Sequence, residues 1–366
     1  MRTKSSQFCI MIGFLMFSCF LSIGAESCLA IGGINFWMIP PIATILGIPI
    51  ILMYIYIFNN SNQKNINELN EELFGKTLGK IISIFLLLFV ISFNLITFWN
   101  LTSFVSSQYL YNTPSWFITV IFIIPSIYLI IKGPRILFRT TFILFYFAII
   151  LYIISALGLA SQIKLTNIQP ILENGITPVL KGIYNYVSYM ILPIFLILIV
   201  PRNQIEGKNL NRYLIITYLV TNTLIFIIMF FTLAVFGIEL TSLYQYSSYH
   251  ILKRVFIGGF IERMENTLSI QWIIGLFVPT LFGFYYTSKS IEDIFKIKNK
   301  LNFIIIIIIM YFSQYIFKNN TFSEFFTTKY YPLIMGIFFI IIPFIITITI
   351  FYKKKIQKVS LKKMEN

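Results

Sequence analysis

Apolar runs, most of about twenty residues, recur along the whole chain, separated by short polar stretches. Read for apolar length and polar interruption, the pattern predicts helices over 8–31, 36–58, 81–105, 116–131, 139–159, 182–201, 213–237, 262–287, 301–317 and 331–352. Such runs approach the roughly 20 residues that cross a hydrocarbon layer about 30 Å thick. None alternates polar and apolar positions as a barrel strand must. Without water to satisfy backbone groups, they fold as helices. Segment 116–131 is the shortest, and Pro125 predicts an interruption within it. Between the second and third runs, Asn65 to Gly75 reads as a short amphipathic helix stopped by a glycine.

Composition agrees with this pattern. The chain of 366 residues is 58% apolar and 18% aromatic, and only 11% of its residues are charged. A soluble domain carries roughly 25% charged residues, so this surface faces lipid. The formal charge of +15 does not indicate nucleic acid, because the basic residues lie between the apolar runs and are not interleaved with aromatics on one face. With ten spans and the N-terminus in the cytoplasm, inner segments carry 21 Lys and Arg and outer segments 7. That asymmetry orients the protein with both termini inside. The start of the chain also resembles a signal peptide, with Ser22-Ile23-Gly24-Ala25 as a cleavage-like site. Its removal would leave an odd number of spans. The tail 353–366 is basic, as a stop-transfer anchor or a contact with anionic lipid would be.

Little in the sequence suggests covalent chemistry. Gly75-Lys76-Thr77 resembles the end of a phosphate loop, but the glycine required five residues earlier is Asn70 and no strand precedes it. Cys9, Cys19 and Cys28 all fall in the first run and are expected to pack as small hydrophobes, and His250 is the only histidine. The expectation is a non-enzyme without cofactor or metal.

Ten spans divide as five plus five within one transmembrane domain, repeat 1 over about 8–159 and repeat 2 over about 182–352. An odd number of spans per repeat inverts the second relative to the first, as in LeuT-like transporters, where the leading helix of each half is broken near mid-membrane. Candidate weak points fall where this requires them. The first span offers Ser22, Gly24, Ala25 and Glu26; the sixth offers Tyr186 and Tyr189 ahead of Pro193. Ordinary packing of Gly and Pro is the competing reading. Glu26 is an ionisable group within a span, suited to a substrate ammonium or a proton, unless it simply reaches water at the outer end. On the third span, Asn94, Thr97 and Asn100 share one side, and either line a cavity or bond a neighbouring helix. Glu262, Arg263 and Glu265, with Asn266 inward of them, form either a gate or a salt-bridged helix start.

Asn65-Ile66-Asn67-Glu68-Leu69 with Phe74-Gly75-Lys76-Thr77-Leu78-Gly79-Lys80 resembles the second-loop signature of the spore-germination permease family, the integral membrane B subunits of germinant receptors. Asn167-Ile168-Gln169-Pro170-Ile171-Leu172 and Gly175-Ile176-Thr177-Pro178-Val179-Leu180-Lys181-Gly182 resemble the loop ahead of span 6. The strongest likeness is Arg254-Val255-Phe256-Ile257-Gly258-Gly259-Phe260-Ile261-Glu262-Arg263-Met264-Glu265, with Trp272 following. The resemblance spans nearly the whole chain. It implies the amino acid–polyamine–organocation superfamily and its inverted repeat. It also implies germinant sensing in the spore inner membrane together with A and C subunits. Members of that family often carry an acidic residue within span 6; 182–200 has none, so an amino group would need another partner, such as Glu26, or the germinant differs.

The reading is therefore an all-α polytopic protein that binds a small nutrient, an amino acid by expectation, among spans 1, 3, 6 and 8. The expected ligand-binding residues are Ser22, Gly24, Ala25, Glu26, Asn94, Thr97, Tyr186, Tyr189 and Asn266. A proton- or sodium-coupled amino-acid transporter is the rival. A membrane anchor for partner subunits is a third reading.

Overall fold

A computed structural model describes residues 3–61, 63–207, 209–255, 270–297, 300–317 and 320–364. The chain starts with β1 (Thr3–Lys4), which pairs in parallel with β2 (Ile205–Glu206). The first span is α1 (Ser5–Cys19), a π turn over Phe20–Gly24, and α2 (Ala25–Gly32). The second is α3 (Ile39–Asn59), and the predicted amphipathic helix follows as α4 (Ile66–Phe74). Then come α5 (Lys76–Gln108), α6 (Ser115–Lys132) and α7 (Pro134–Leu159). The sixth span is α8 (Thr177–Tyr186), a π turn over Val187–Ile191, and a 3-10 stretch over Leu192–Ile199. Next are α9 (Leu210–Leu243), the single turn α10 (Ser247–His250), α11 (Ile270–Phe295) and α12 (Lys300–Ile316). The last span is α13 (Asn320–Phe325), a π turn over Phe326–Tyr330, α14 (Tyr331–Gly336), a π turn over Ile337–Ile341, and α15 (Ile342–Met364).

Eight helices are long and apolar enough to cross a membrane, and Ser5–Cys19 and Asn302–Ile316 are shorter apolar helices. Each of the ten expected spans meets a helix in the described residues. The first and sixth spans are the most enclosed. Phe8, Phe14, Leu15, Tyr186, Met190 and Phe195 are buried in one core with Val278 and Tyr286 of α11. The large exposed apolar and aromatic side chains of α6, α7 and α15 are mostly Ile, Phe and Tyr, as lipid contact requires.

Some expectations need correction. α6 runs unbroken through Pro125, as lipid-facing helices tolerate. The eighth helix continues past 287 to Phe295, because Lys289 pairs with Glu292 at 3.2 Å and with Asp293 at 3.1 Å and so offsets the charges of that turn. The tenth helix begins at Asn320, about three turns before the apolar run, and continues through the basic tail to Met364.

The first span is also not unwound at Gly24, and the sixth passes from α-helix through a π turn into a 3-10 stretch around Pro193. Gly24 keeps right-handed helical angles (φ −67°, ψ −32°), and the chain widens into a π turn. The reason lies in packing. A Cβ on Gly24 would lie 2.6 Å from the Cβ of Tyr189 and 2.7 Å from Cδ2 of Phe20. The glycine is there for a close crossing of the two π turns, rather than for an unwound segment.

The seventh span does break. Gly237 takes φ 72° and ψ 171°, which turns the end of α9 back over the bundle. The carbonyl of Ala234, left without its helical partner, accepts from the backbone N–H of Lys164 at 3.0 Å and from Asn167 Nδ2 at 2.9 Å. The ends of the bundle are therefore distinct. The tail end carries β1, α4 and α15, and the far end carries the hooked end of α9.

Candidate functional site

A cavity of about 580 Å³ opens at the far end. One wall is the second half of the first span, with Glu26, Ser27, Leu29 and Ala30, and Gly33 directly after it. Trp99 and Asn100 of α5 face it, and the hook contributes Ile238, Ser242, Leu243, Tyr244 and Gln245. The start of the last span supplies Ser323, Glu324, Thr327 and Thr328. The lining is mixed: two carboxylates, two amides and several hydroxyls beside indole and phenol rings. Among its described residues it has no Lys or Arg. Two acids without such a partner favour a cation where charge is poorly screened. Its volume is within the usual 300–1,000 Å³ of small-molecule sites.

Buried hydrogen bonds hold these walls together. Pro332 has no N–H, so the carbonyl of Thr328 four residues back loses its helical donor. Asn185 of α8 supplies one at 3.1 Å, and its same Nδ2 donates to Ser27 Oγ at 2.6 Å. One amide thus joins the first, sixth and tenth spans. The Tyr189 hydroxyl donates to the carbonyl of Thr327 at 2.6 Å, while its ring stacks on Tyr331 with centroids 4.8 Å apart. Tyr184 and Ser188 donate to the carbonyl of Pro332 at 2.8 Å and 3.2 Å. Tyr189 is therefore the point where π turns from three helices meet, and π turns are frequent at functional sites.

The predicted residues separate on this geometry. Glu26 lines the cavity and is half-buried, so it is both inside a span and within reach of water. Gly24 and Ala25 are buried behind the wall in helix packing. Ser22 belongs to the backbone of the first π turn. Tyr189 supports the cavity from below through Thr327. Tyr186 faces elsewhere: its hydroxyl donates to Asn222 Oδ1 at 2.6 Å and its ring packs on Phe20. Asn94 donates to Thr287 Oγ1 at 2.8 Å, and Gly283 leaves room for its amide, so it joins α5 to α11 as interhelical glue. Thr97 donates to the Phe93 carbonyl of its own helix at 3.0 Å. Of that polar trio only Asn100 reaches the cavity. Asn266, with Glu262, Arg263 and Glu265, lies outside the described residues.

Glu324 was not among the predicted residues. Asn320, Thr321, Ser323 and Lys329 surround it, and their polarity reads as a loop before the apolar run. The signal available was a second acid, Glu324, in a polar stretch that continues directly into the tenth span. Beyond the hook, His250 stacks on Tyr244 with centroids 4.3 Å apart and meets Tyr249 edge-on. Burial first, and the Lys253 charge second, lower its pKa from 6.5 to about 4.

Comparison with known proteins places this architecture. Residues 3–323 match a family described as spore germination protein. Spore germination protein YndE of Bacillus subtilis (strain 168) is 26% identical over 233 residues, covering 63% of this chain and 64% of that protein. The match thus spans just under two thirds of that relative's length. Spore germination protein KB of the same organism is 25% identical over 269 residues, covering 70% of this chain and 71% of that one. Two structures of mutants of the Eremococcus coleocola manganese transporter superpose with TM-scores of 0.59 and 0.60 at 12% and 13% identity. Each covers 93% of this chain and 77% of the transporter. The fold is thus all-α and polytopic, of the LeuT-like kind with five-plus-five inverted repeats. At this identity the likeness carries the fold alone, and manganese belongs to that transporter.

Proposed function

This chain belongs to the family of spore germination proteins, and on that premise we propose that it is the membrane-embedded B subunit of a germinant receptor whose far-end cavity binds a small nutrient amino acid. The observation that carries this reading is the pair Glu26 and Glu324 in the lining of a 580 Å³ space that has no Lys or Arg among its described residues. A solute ammonium offsets the two carboxylates, while Asn100, Gln245 and the Thr327 and Thr328 hydroxyls offer hydrogen bonds to its polar remainder. Trp99 and Tyr244 give its apolar part a surface. The absence of an acid from the sixth span is then met by the first and tenth.

In this reading the repeats run over about 8–159 and 182–352, the tail end faces the cytoplasm, and the protein sits in the spore inner membrane with A and C subunits. The 21-to-7 distribution of Lys and Arg supports that orientation. Binding draws the first and tenth spans together across the cavity, and the partners read the change.

The test is germination of spores carrying Glu26→Gln or Glu324→Gln at normal protein levels. Losing a charge-assisted bond of about 1.5–3 kcal/mol raises the nutrient concentration needed about 10- to 100-fold. An unchanged dose response in both variants refutes the site. Uptake of labelled amino acid into vesicles separates a receptor, which binds saturably without accumulation, from the proton- or sodium-coupled transporter.

A further inference from the structure

At the tail end, opposite the cavity, α4 lies across the bundle and is attached to α5, α11 and α15. Its nine residues are too short to hold a helix alone. Asn65 makes its N-terminus: Oδ1 accepts from the backbone N–H of Asn67 at 3.0 Å and of Glu68 at 3.1 Å, and Glu68 Oε2 accepts from the Asn65 N–H at 3.1 Å. The other end of the same amide fastens the helix down. Asn65 Nδ2 donates to Asp293 Oδ2 at 2.8 Å, and Asn67 Nδ2 reaches that oxygen at 3.3 Å and Ser290 Oγ at 3.1 Å. The second oxygen of Asp293 meets Lys289 at 3.1 Å. At 13% side-chain exposure, Asp293 relies on α4 for two of its partners.

The remaining attachments are Ile66 and Leu69, buried beneath it, Asn70 Nδ2 donating to Ser83 Oγ of α5 at 3.1 Å, and Lys353 Nζ donating to the Glu72 carbonyl at 2.8 Å from the last span. Residues with positive φ flank it on both sides, Gln63 at 67° and Gly75 at 83°. Asn65, Asn67 and Ser290 are buried, so opening this contact requires water to enter and take over their hydrogen bonds. A helix resting on the third, eighth and tenth spans together cannot stay seated when those spans move apart.

We infer that α4 is a releasable plug over the tail end of the bundle, and that the Asn65–Asp293 contact is its latch. This does not depend on what fills the cavity. The test places a single reporter under the plug, Leu69→Cys, in the full chain in lipid nanodiscs, and measures its reaction rate with a charged maleimide. Cys9, Cys19 and Cys28 are buried, and their background is measured with Leu69 intact. Asn65→Asp keeps a good helix cap but sets a carboxylate against Asp293. The labelling rate is expected to rise at least tenfold, about 1.4 kcal/mol in the open–closed equilibrium. Adding Asp293→Asn exchanges donor and acceptor and returns the rate to within about twofold of the parent. An unchanged rate in Asn65→Asp overturns the latch, and so does a double variant as fast as the single. If Asn65→Asp does not accumulate, Asp293→Ala, which removes the acceptor, decides: a tenfold rise supports the latch and an unchanged rate overturns it.

Discussion

Substituting alanine for Gly24 tests whether this glycine serves a close crossing or a flexible joint. The new methyl would lie 2.6 Å from the Cβ of Tyr189, an atom one bond from the backbone and unable to swing aside. The first and sixth spans must then move apart. Forced contacts of this sort cost about 1–3 kcal/mol, while Gly→Ala within a helix returns about 1 kcal/mol of propensity. The matched control is Gly275→Ala in α11, where the nearest atom to the new methyl is Ser18 Oγ at 4.0 Å. That variant keeps the propensity gain without the clash. The two should therefore differ by about 1–3 kcal/mol in favour of Gly275→Ala. Thermal unfolding of the detergent-purified protein, followed by loss of monodisperse material, should put Gly24→Ala lower by about 2 °C or more. Gly24→Ala melting at or above Gly275→Ala would refute the crossing argument.

Asn185→Ala removes the shared donor for Thr328 and Ser27, and should destabilise by about 1–3 kcal/mol because it strands a buried carbonyl; an unshifted melting curve counts against its role as a clamp. His250 binds its proton more weakly when folded than when unfolded, so the stability it contributes is present above about pH 6.5 and is lost as pH falls toward about 4. His250→Gln should flatten the melting temperature across that window, and an unaltered pH profile would be inconsistent with its burial between Tyr244 and Tyr249.

Span positions were legible because lipid leaves helices little choice of composition. Asn65 and Gly75 marked α4 correctly for a similarly local reason, as a capping box and a positive-φ stop are written in adjacent residues. The weak points near Gly24 and Pro193 were legible as places, but whether such a place unwinds or widens depends on the helix crossing it, and Tyr189 decides that from 165 residues away. Asn94, Thr97 and Asn100 illustrate the same limit. Helical periodicity gives their shared side but not what lies opposite, and only the position of α11 assigns Asn94 to packing while Asn100 reaches the cavity. Glu324 was hidden by hydropathy itself, since a helix that enters the membrane with a polar turn reads as loop.

The short strand pair at the tail end has a mechanical consequence. Thr3 pairs with Ile205 and Lys4 with Glu206, fastening the entry of one leading helix to the exit of its counterpart. Glu26 lies 21 residues beyond Ser5, roughly 32 Å along the axis at about 1.5 Å per residue. With its base pinned, that helix acts as a lever arm. A tilt of about 5° displaces the carboxylate by nearly 3 Å, on the order of two residues' rise. A slight rocking about two paired residues is thus enough to reshape the cavity that Glu26 and Glu324 line, where we propose that a solute binds.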